Sequence, residues 1–443
     1  NRHNELLGGA GNDTIDGGDG DDTIAGAGGS NVLTGGAGDD SIDLTGNDTS
    51  TASTVNGQAG DDTITDHGTG NDTLLGGQGD DQITVSGAGT GLVDGNLGND
   101  TLDGSGAGAW TVKGEDGDDV IDFSTATGKN NIDGGAGDDS ILSGTGNDTV
   151  SGSDGNDTIT DAGGKNLIDG GNGNDNITLN GSSTTSGLGG HDTVTGDAGN
   201  DTITSTAADH GAGSYSGGDG NDKINVSGDT NDTTTGAPNI DTISGGTGND
   251  TITGSAHGVG GSIDAGDGND VVNGGNGNDT ITGGAGDDTI HAGGHAAGGS
   301  DVLSGGGGGD AFVFAAGDSQ ATAPSTAGIG LGATGIDQIR DWNGGTTAAP
   351  TNFLSFGLDK GSASNYSETT ATDFNDAIVQ ANNHLGHGGE YVAVQVGSDV
   401  IVFADTSTNG TVGTPDHSIT STDDAVTLVG RTLADIDFSN IIA

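Results

Sequence analysis

Gly8-Gly9-Ala10-Gly11-Asn12-Asp13-Thr14-Ile15-Asp16 runs without a break into Gly17-Gly18-Asp19-Gly20-Asp21-Asp22-Thr23-Ile24-Ala25. The shared pattern is G-G-x-G-x-D-x-U-x, with U apolar, and it returns at Gly35, Gly76, Gly134, Gly170, Gly217, Gly245, Gly274, Gly283 and Gly305. Relaxing the first two positions adds Gly57, Gly95, Gly114, Gly152, Gly187 and Gly196. A repeat of this regularity decides the architecture before any single element does. Glycines supply positive φ and let backbone carbonyls converge in a tight turn. The aspartate brings a carboxylate to that turn, and x-U-x is a very short strand with one side chain pointing inward. One isoleucine per nine residues cannot form a core alone. Stacked in register, Ile15, Ile24, Ile42, Ile64, Ile83, Ile121, Ile141 and Ile159 are expected to form a continuous apolar column.

A longer period lies above the ninefold one. Well-formed units start at 17, 35, 57, 76, 95, 114, 134, 152 and 170, a step of roughly 19. Degenerate partners such as Ser86–Val93 and Asp161–Asp169 fall between them. Two strands and two turns per coil follow, with most intact acidic turns on one edge and insertions on the other. Asp72, Asp148 and Asp192 put some intact turns on that second edge as well.

Composition sets the conditions under which such a coil can fold. The 443 residues include 96 Gly, 66 Asp+Glu against 8 Lys+Arg, and no Cys, for a net charge of −58. Only 28% of residues are hydrophobic, which alone would read as disorder. Something positive must neutralise the carboxylates, and a hard divalent cation that prefers oxygen ligands is the natural choice. Nucleic acid is excluded as a partner, since so few cations cannot neutralise phosphates. Membrane insertion is excluded too, because no apolar run is long enough to span a bilayer. The chain opens at Asn1 without a leader pattern, so any export signal is expected elsewhere.

The repeat resembles the hemolysin-type calcium-binding (RTX) nonapeptide. That resemblance implies an all-β fold, a right-handed parallel β-roll or β-solenoid of Gly/Asp-rich repeats over residues 1–313, in which Ca²⁺ ions are held between turns of neighbouring coils. It implies sixth-position ligands at Asp13, Asp22, Asp40, Asp62, Asp81, Asp100, Asp119, Asp139, Asp157, Asp175, Asp201, Asp222, Asp250, Asp270, Asp279, Asp288 and Asp310, joined by Asp72, Asp148 and Asp192. Asn31, Asn166 and Gly261 depart from the pattern.

Calcium then becomes a folding switch. Extracellular-type sites bind at about 10⁻⁴–10⁻³ M. At about 1 mM Ca²⁺ each adds roughly 0.4–1.4 kcal/mol by mass action. Fifteen to twenty such sites total on the order of 6–28 kcal/mol, as much as a whole domain's net stability. In a cell interior the same contribution is close to zero.

After Phe314 the repeat stops and aromatics concentrate, including Trp342, Phe353, Tyr366, Tyr391 and Phe403. A helix is expected from Thr372/Asp373 to Gly386, and a hairpin from Tyr391–Val396 and Val400–Ala404 about Gly397-Ser398-Asp399. Residues 314–443 therefore read as a small α+β cap. The runs Gly309–Phe314, Asp337–Trp342, Asp424–Gly430 and Ile436–Ala443 resemble the C-terminal segment of RTX proteins, which implies a type I secretion signal and contact with that machinery.

No nucleophile elbow, P-loop or H-E-x-x-H motif occurs, and the His291/His295 and His384/His387 pairs read as solvated side chains. Three functions fit. The first is a secreted, non-enzymatic structural component at the cell surface, as in RTX-type surface-layer proteins, with self-assembly or a cell-surface glycan as partner. The second is the C-terminal carrier of a secreted protease, lipase or alginate epimerase. The third is an ice- or glycan-binding adhesin module, drawn from the recurrent Thr-Ile-Thr.

Overall fold

The structure is a computed structural model. It describes residues 2–44, 52–180, 192–206, 213–227, 240–255, 260–294 and 300–314; beyond these it describes the strands named below, Arg340, Ala377, Gln380 and Ala381. The chain divides into two units, Asn1–Gly218 and Asp219–Ala443.

In the first unit the strands from Glu5–Gly9 to Asn176–Leu179 each pair in parallel with the strand two places on. One sheet stacks Glu5–Gly9, Thr23–Ala27, Ser41–Asp43, Thr63–Asp66, Gln82–Val85 and their successors to Thr202–Ser205. The facing sheet stacks Thr14–Asp19, Val32–Ala37, Thr54–Ala59, Asn71–Gln78 and their successors to Thr193–Ala198. Each coil thus has two strands and two turns, a parallel β-solenoid, as the repeat implies.

The inward residues form two facing files. Ile24, Ile42, Ile64, Ile83, Leu102, Ile121, Ile141 and Ile159 line one sheet; Leu33, Val55, Leu74, Val93, Val112, Ile132 and Val150 line the other, all buried. Ile15 belongs to the second file, paired with Leu33, so one column of isoleucines resolves into two. Since each coil supplies one side chain to each file, with a few additions such as Leu44, Val85 and Phe123, cohesion comes from stacking along the axis.

The two edges differ in length rule. From the second sheet to the first, the inward residues are always nine apart: Val55 to Ile64, Leu74 to Ile83, Val112 to Ile121, Ile168 to Ile177. On the return the spacing varies, from Ile24–Leu33 to Ile42–Val55 and Ile177–Val194. We call the constant turn the first edge. Insertions therefore gather on the second edge, as the sequence suggests.

The second unit repeats the plan. Lys223–Asn225, Thr251–Thr253, Val271–Asn273, Thr289–His291 and Ala311–Val313 form one parallel sheet; Thr242–Thr247, Ser262–Asp267, Thr280–Ala285 and Val302–Gly307 form the other. Both run on past the last repeat. Phe353–Ser355 adds to Ala311–Val313, and Ile441–Ile442 adds to Phe353–Ser355. Asp337–Ile339 adds to Val302–Gly307, and Asp424–Leu428 pairs with it in turn. The expected hairpin is present, Tyr391–Val396 antiparallel to Asp399–Ala404, which also pairs antiparallel with Asp424–Leu428. Tyr366–Ala371 lies parallel to Tyr391–Val396. Ala377, Gln380 and Ala381 are helical, the two alanines buried; the rest of the expected helix lies outside the described residues.

Candidate metal centre

The first edge holds a continuous column of aspartates. In the first unit these are Asp22, Asp40, Asp62, Asp81, Asp100, Asp119, Asp139, Asp157, Asp175 and Asp201, all buried. From Asp22 to Asp175 each backbone N–H donates to Oδ1 of the aspartate one coil further on. The distances are 2.7 Å for Asp22 to Asp40, 2.7 Å for Asp40 to Asp62, 2.8 Å for Asp62 to Asp81 and 2.7 Å for Asp100 to Asp119. Asp222, Asp250, Asp270, Asp288 and Asp310 make the same ladder in the second unit, at 2.7–3.2 Å. A nine-residue turn keeps every aspartate at one height above its partner. One extra residue would break the chain of bonds, which explains the fixed spacing.

The second oxygen of each carboxylate is the informative one. Oδ2 of Asp22, Asp40, Asp62, Asp81, Asp100, Asp119, Asp139, Asp157 and Asp175, and of Asp250, Asp270 and Asp288, is buried and accepts no hydrogen bond. It rests on the first glycine of its own repeat. A Cβ on Gly17 would stand 2.5 Å from Asp22 Oδ2 and 2.5 Å from the Gly35 carbonyl oxygen of the next coil. Gly35, Gly57, Gly76, Gly114, Gly134 and Gly152 stand in the same relation to Asp40, Asp62, Asp81, Asp119, Asp139 and Asp157. This glycine is conserved along the edge to seat a carboxylate. Ala265 occupies the place once, before Asp270, so one methyl is accommodated there.

Electrostatics leave the column short of positive charge. Burial, followed by the neighbouring carboxylates, pushes Asp62, Asp100 and Asp139 up to about 7. Asp81, Asp119, Asp157, Asp250 and Asp288 rise to about 6 for the same leading reason, although the backbone N–H bond to each opposes the shift. A desolvated carboxylate stacked on others must take a proton or a cation.

The donor set fits calcium. Carboxylate Oδ2 atoms and converging glycine carbonyls are hard oxygen ligands with irregular spacing, which Ca²⁺ accepts. Among the described residues no three acidic or imidazole side chains converge on one point, so the balance of any ion's shell falls to backbone oxygens. When bound, the ion supplies the positive charge that the column lacks.

The second edge is interrupted. Asp72, Asp148 and Asp192 occupy it as expected, and so do Asp13 in the first unit and Asp279 in the second, which the sequence leaves unassigned to an edge. Between them stand Asn31, Ser53, Gly91, Trp110, Asn130 and Asn166. Asn31 and Asn166 keep the ladder without its charge, accepting the Asp13 and Asp148 N–H at 3.0 and 2.7 Å. Asp241 and Asp301 also lie here, buried, and Asp301 Oδ1 accepts the Asp279 N–H at 2.7 Å. Both escape the nonapeptide pattern because an insertion displaces the preceding glycines. Their remaining mark is an aspartate two places before the apolar residue of a strand.

Next to the buried ladder runs an exposed one of opposite direction. The N–H groups of Asp61, Asp80, Asn99 and Asp118 donate backwards, to Oδ1 of Asp39, Asp61, Asp80 and Asn99, at 2.9–3.0 Å. The fifth repeat position carries it, and its near-constant Asn or Asp was the available signal.

The model of the RTX calcium-binding nonapeptide repeat matches residues 1–33, 16–50, 57–87, 124–159, 142–177, 179–209, 235–257, 264–294 and 295–320, more than half of the chain. No curated protein matches. Among solved structures the chain is similar to the extracellular lipase LipA from Serratia marcescens, at 21% identity over 72% of this chain and 40% of that one, with a TM-score of 0.17. The chain spans about two fifths of that lipase's length.

Proposed function

This chain belongs to the RTX calcium-binding nonapeptide repeat family, and on that premise we propose that it is a secreted, non-enzymatic structural protein of the cell exterior that folds when calcium binds. The observation that carries the reading is the first-edge column: buried carboxylates, one per coil, each with an oxygen facing backbone carbonyls and, among the described residues, no salt bridge to neutralise it. A chain with 66 acidic and 8 basic side chains repels itself until cations load. Loading then compacts it, which suits export as an open chain and folding outside.

Among the described residues no helix is long and apolar enough to cross a membrane. The strands that extend both sheets beyond residue 314 support an end cap, and the proposed secretion signal is Asp424–Gly430 with Ile436–Ala443. Calcium shared between acidic surfaces would also let copies of the chain assemble on a surface or in a matrix.

Electron microscopy of the purified chain with and without millimolar Ca²⁺ tests the structural role. Ordered sheets or filaments that dissolve in chelator are the expected result. A protein that stays monomeric at high concentration in calcium would contradict it.

A further inference from the structure

Two coils of the first unit end the first-sheet strand with the same four residues, Thr63-Ile64-Thr65-Asp66 and Thr158-Ile159-Thr160-Asp161. The closing aspartate points inward, towards the second edge. Leu44 and Val85 flank Asp66 in that file, while Asp161 stands between Ser143 and Leu179. Asp66 is 2% exposed and Asp161 1%. A carboxylate in a hydrocarbon file is costly unless something pairs with it.

Around Asp66 the signature of the first edge returns, and beside Asp161 it is Asp148 that carries it. Asp66 Oδ1 accepts the Gly68 N–H at 2.7 Å, while its Oδ2 is buried and accepts no hydrogen bond. The Asp72 carboxylate faces it: a Cβ on Gly68 would lie 2.9 Å from Asp66 Oδ1 and 3.7 Å from Asp72 Oδ2. Asp161 takes hydrogen bonds from Ser143 Oγ at 2.8 Å and from the Gly163 backbone N–H, and feels the charges of Asp192 and Asp148. Asp148 in turn has one oxygen on the Asn130 N–H at 2.7 Å and a buried Oδ2 that accepts no hydrogen bond. Among the described residues neither cluster holds a salt bridge; the imidazole of His67 beside Asp66 is engaged with Ser86 Oγ.

We propose that Asp66 and Asp161 are calcium ligands outside the nonapeptide pattern, each supplying from the strand end a carboxylate that the interrupted second-edge turns lack. Asp66 acts with Asp72, and Asp161 with Asp148. The proposal rests on the calcium reading given above. The competing explanation for the facing Asp66 and Asp72 carboxylates is a shared proton.

The test counts calcium bound per molecule after equilibrium dialysis of the full chain against millimolar Ca²⁺. Asp66→Leu restores the side-chain type of both neighbouring coils and Asp161→Leu that of the coil after it, so circular dichroism in calcium should match the wild type. Each variant should hold one ion fewer, and the double variant two fewer. Asp66→Asn, which keeps shape and removes charge, should also lose one. Variants that hold as many ions as a calcium-loaded wild type overturn this inference alone. Asp66→Asn with an unchanged count and greater residual structure in chelator would establish the shared proton in its place. A wild type that holds no calcium overturns both readings.

Discussion

The backbone N–H of Asp62 donates to Asp81 Oδ1 at 2.8 Å, so each coil is held by the aspartate of the next. Asp81 Oδ2 is buried and without a hydrogen bond, seated on Gly76. One side chain thus joins two coils through one oxygen and offers the other to a cation. Repeated along the edge, this couples coil stacking to charge neutralisation.

Replacing Asp100 by Asn keeps an acceptor for the Asp81 N–H and removes a charge between Asp81 and Asp119. In chelator the variant should retain more structure than the wild type. In millimolar calcium it should gain less on loading, by about 1 kcal/mol for one lost site. Melting curves with and without calcium check both signs.

Gly134→Val fills the seat of the Asp139 carboxylate. Crowding of this kind costs about 1–3 kcal/mol, and displacing Oδ2 should also lower calcium affinity. The variant should therefore need more calcium to reach half-folding. Gly137→Ala, whose φ is +134°, should be destabilising through backbone strain.

Edge lengths give a third test. Two residues inserted between Gly117 and Asp118, on the first edge, break the ladder through Asp119 and should abolish cooperative calcium-induced folding. The same insertion between Gly87 and Ala88, on the second edge, should leave the midpoint almost unchanged, since loop closure costs little per added residue.

The pH response follows from the raised carboxylates. Their folded-state values of about 6–7 lie above the unfolded value of about 3.9. The folded form then binds more protons than the unfolded chain. Metal-free stability is fully present below about pH 4 and is lost as pH rises through about 6–7. In chelator, residual structure should increase on acidification from pH 8 to pH 5. With calcium present, protons compete for the same oxygens, so the half-folding calcium concentration should rise as pH falls. Circular dichroism across that range checks both.

Much of this was legible in the residues. The phase of Ile64 to Asp62, kept from coil to coil, implies stacked strands with acidic turns, and the step of about nineteen implies two turns per coil. Other features depend on contacts between coils and leave at most a faint local mark. Asp62 and Asp61 are adjacent in sequence, yet their ladders run in opposite directions along the axis. Asp301 belongs to the second edge although Ser300 stands where the pattern has Asn or Asp. Asp66 follows Thr-Ile-Thr as any polar strand end would, and only the stacking of Leu44 and Val85 beside it shows that it points inward.

Calcium titration of the chelator-treated full chain, followed by far-UV circular dichroism, tests the coupling of stacking to cation binding most directly. A cooperative rise of β signal between about 10⁻⁴ and 10⁻³ M Ca²⁺, reversed by excess chelator, is the expected result. Full β signal that persists in excess chelator at pH 7.5 would contradict it.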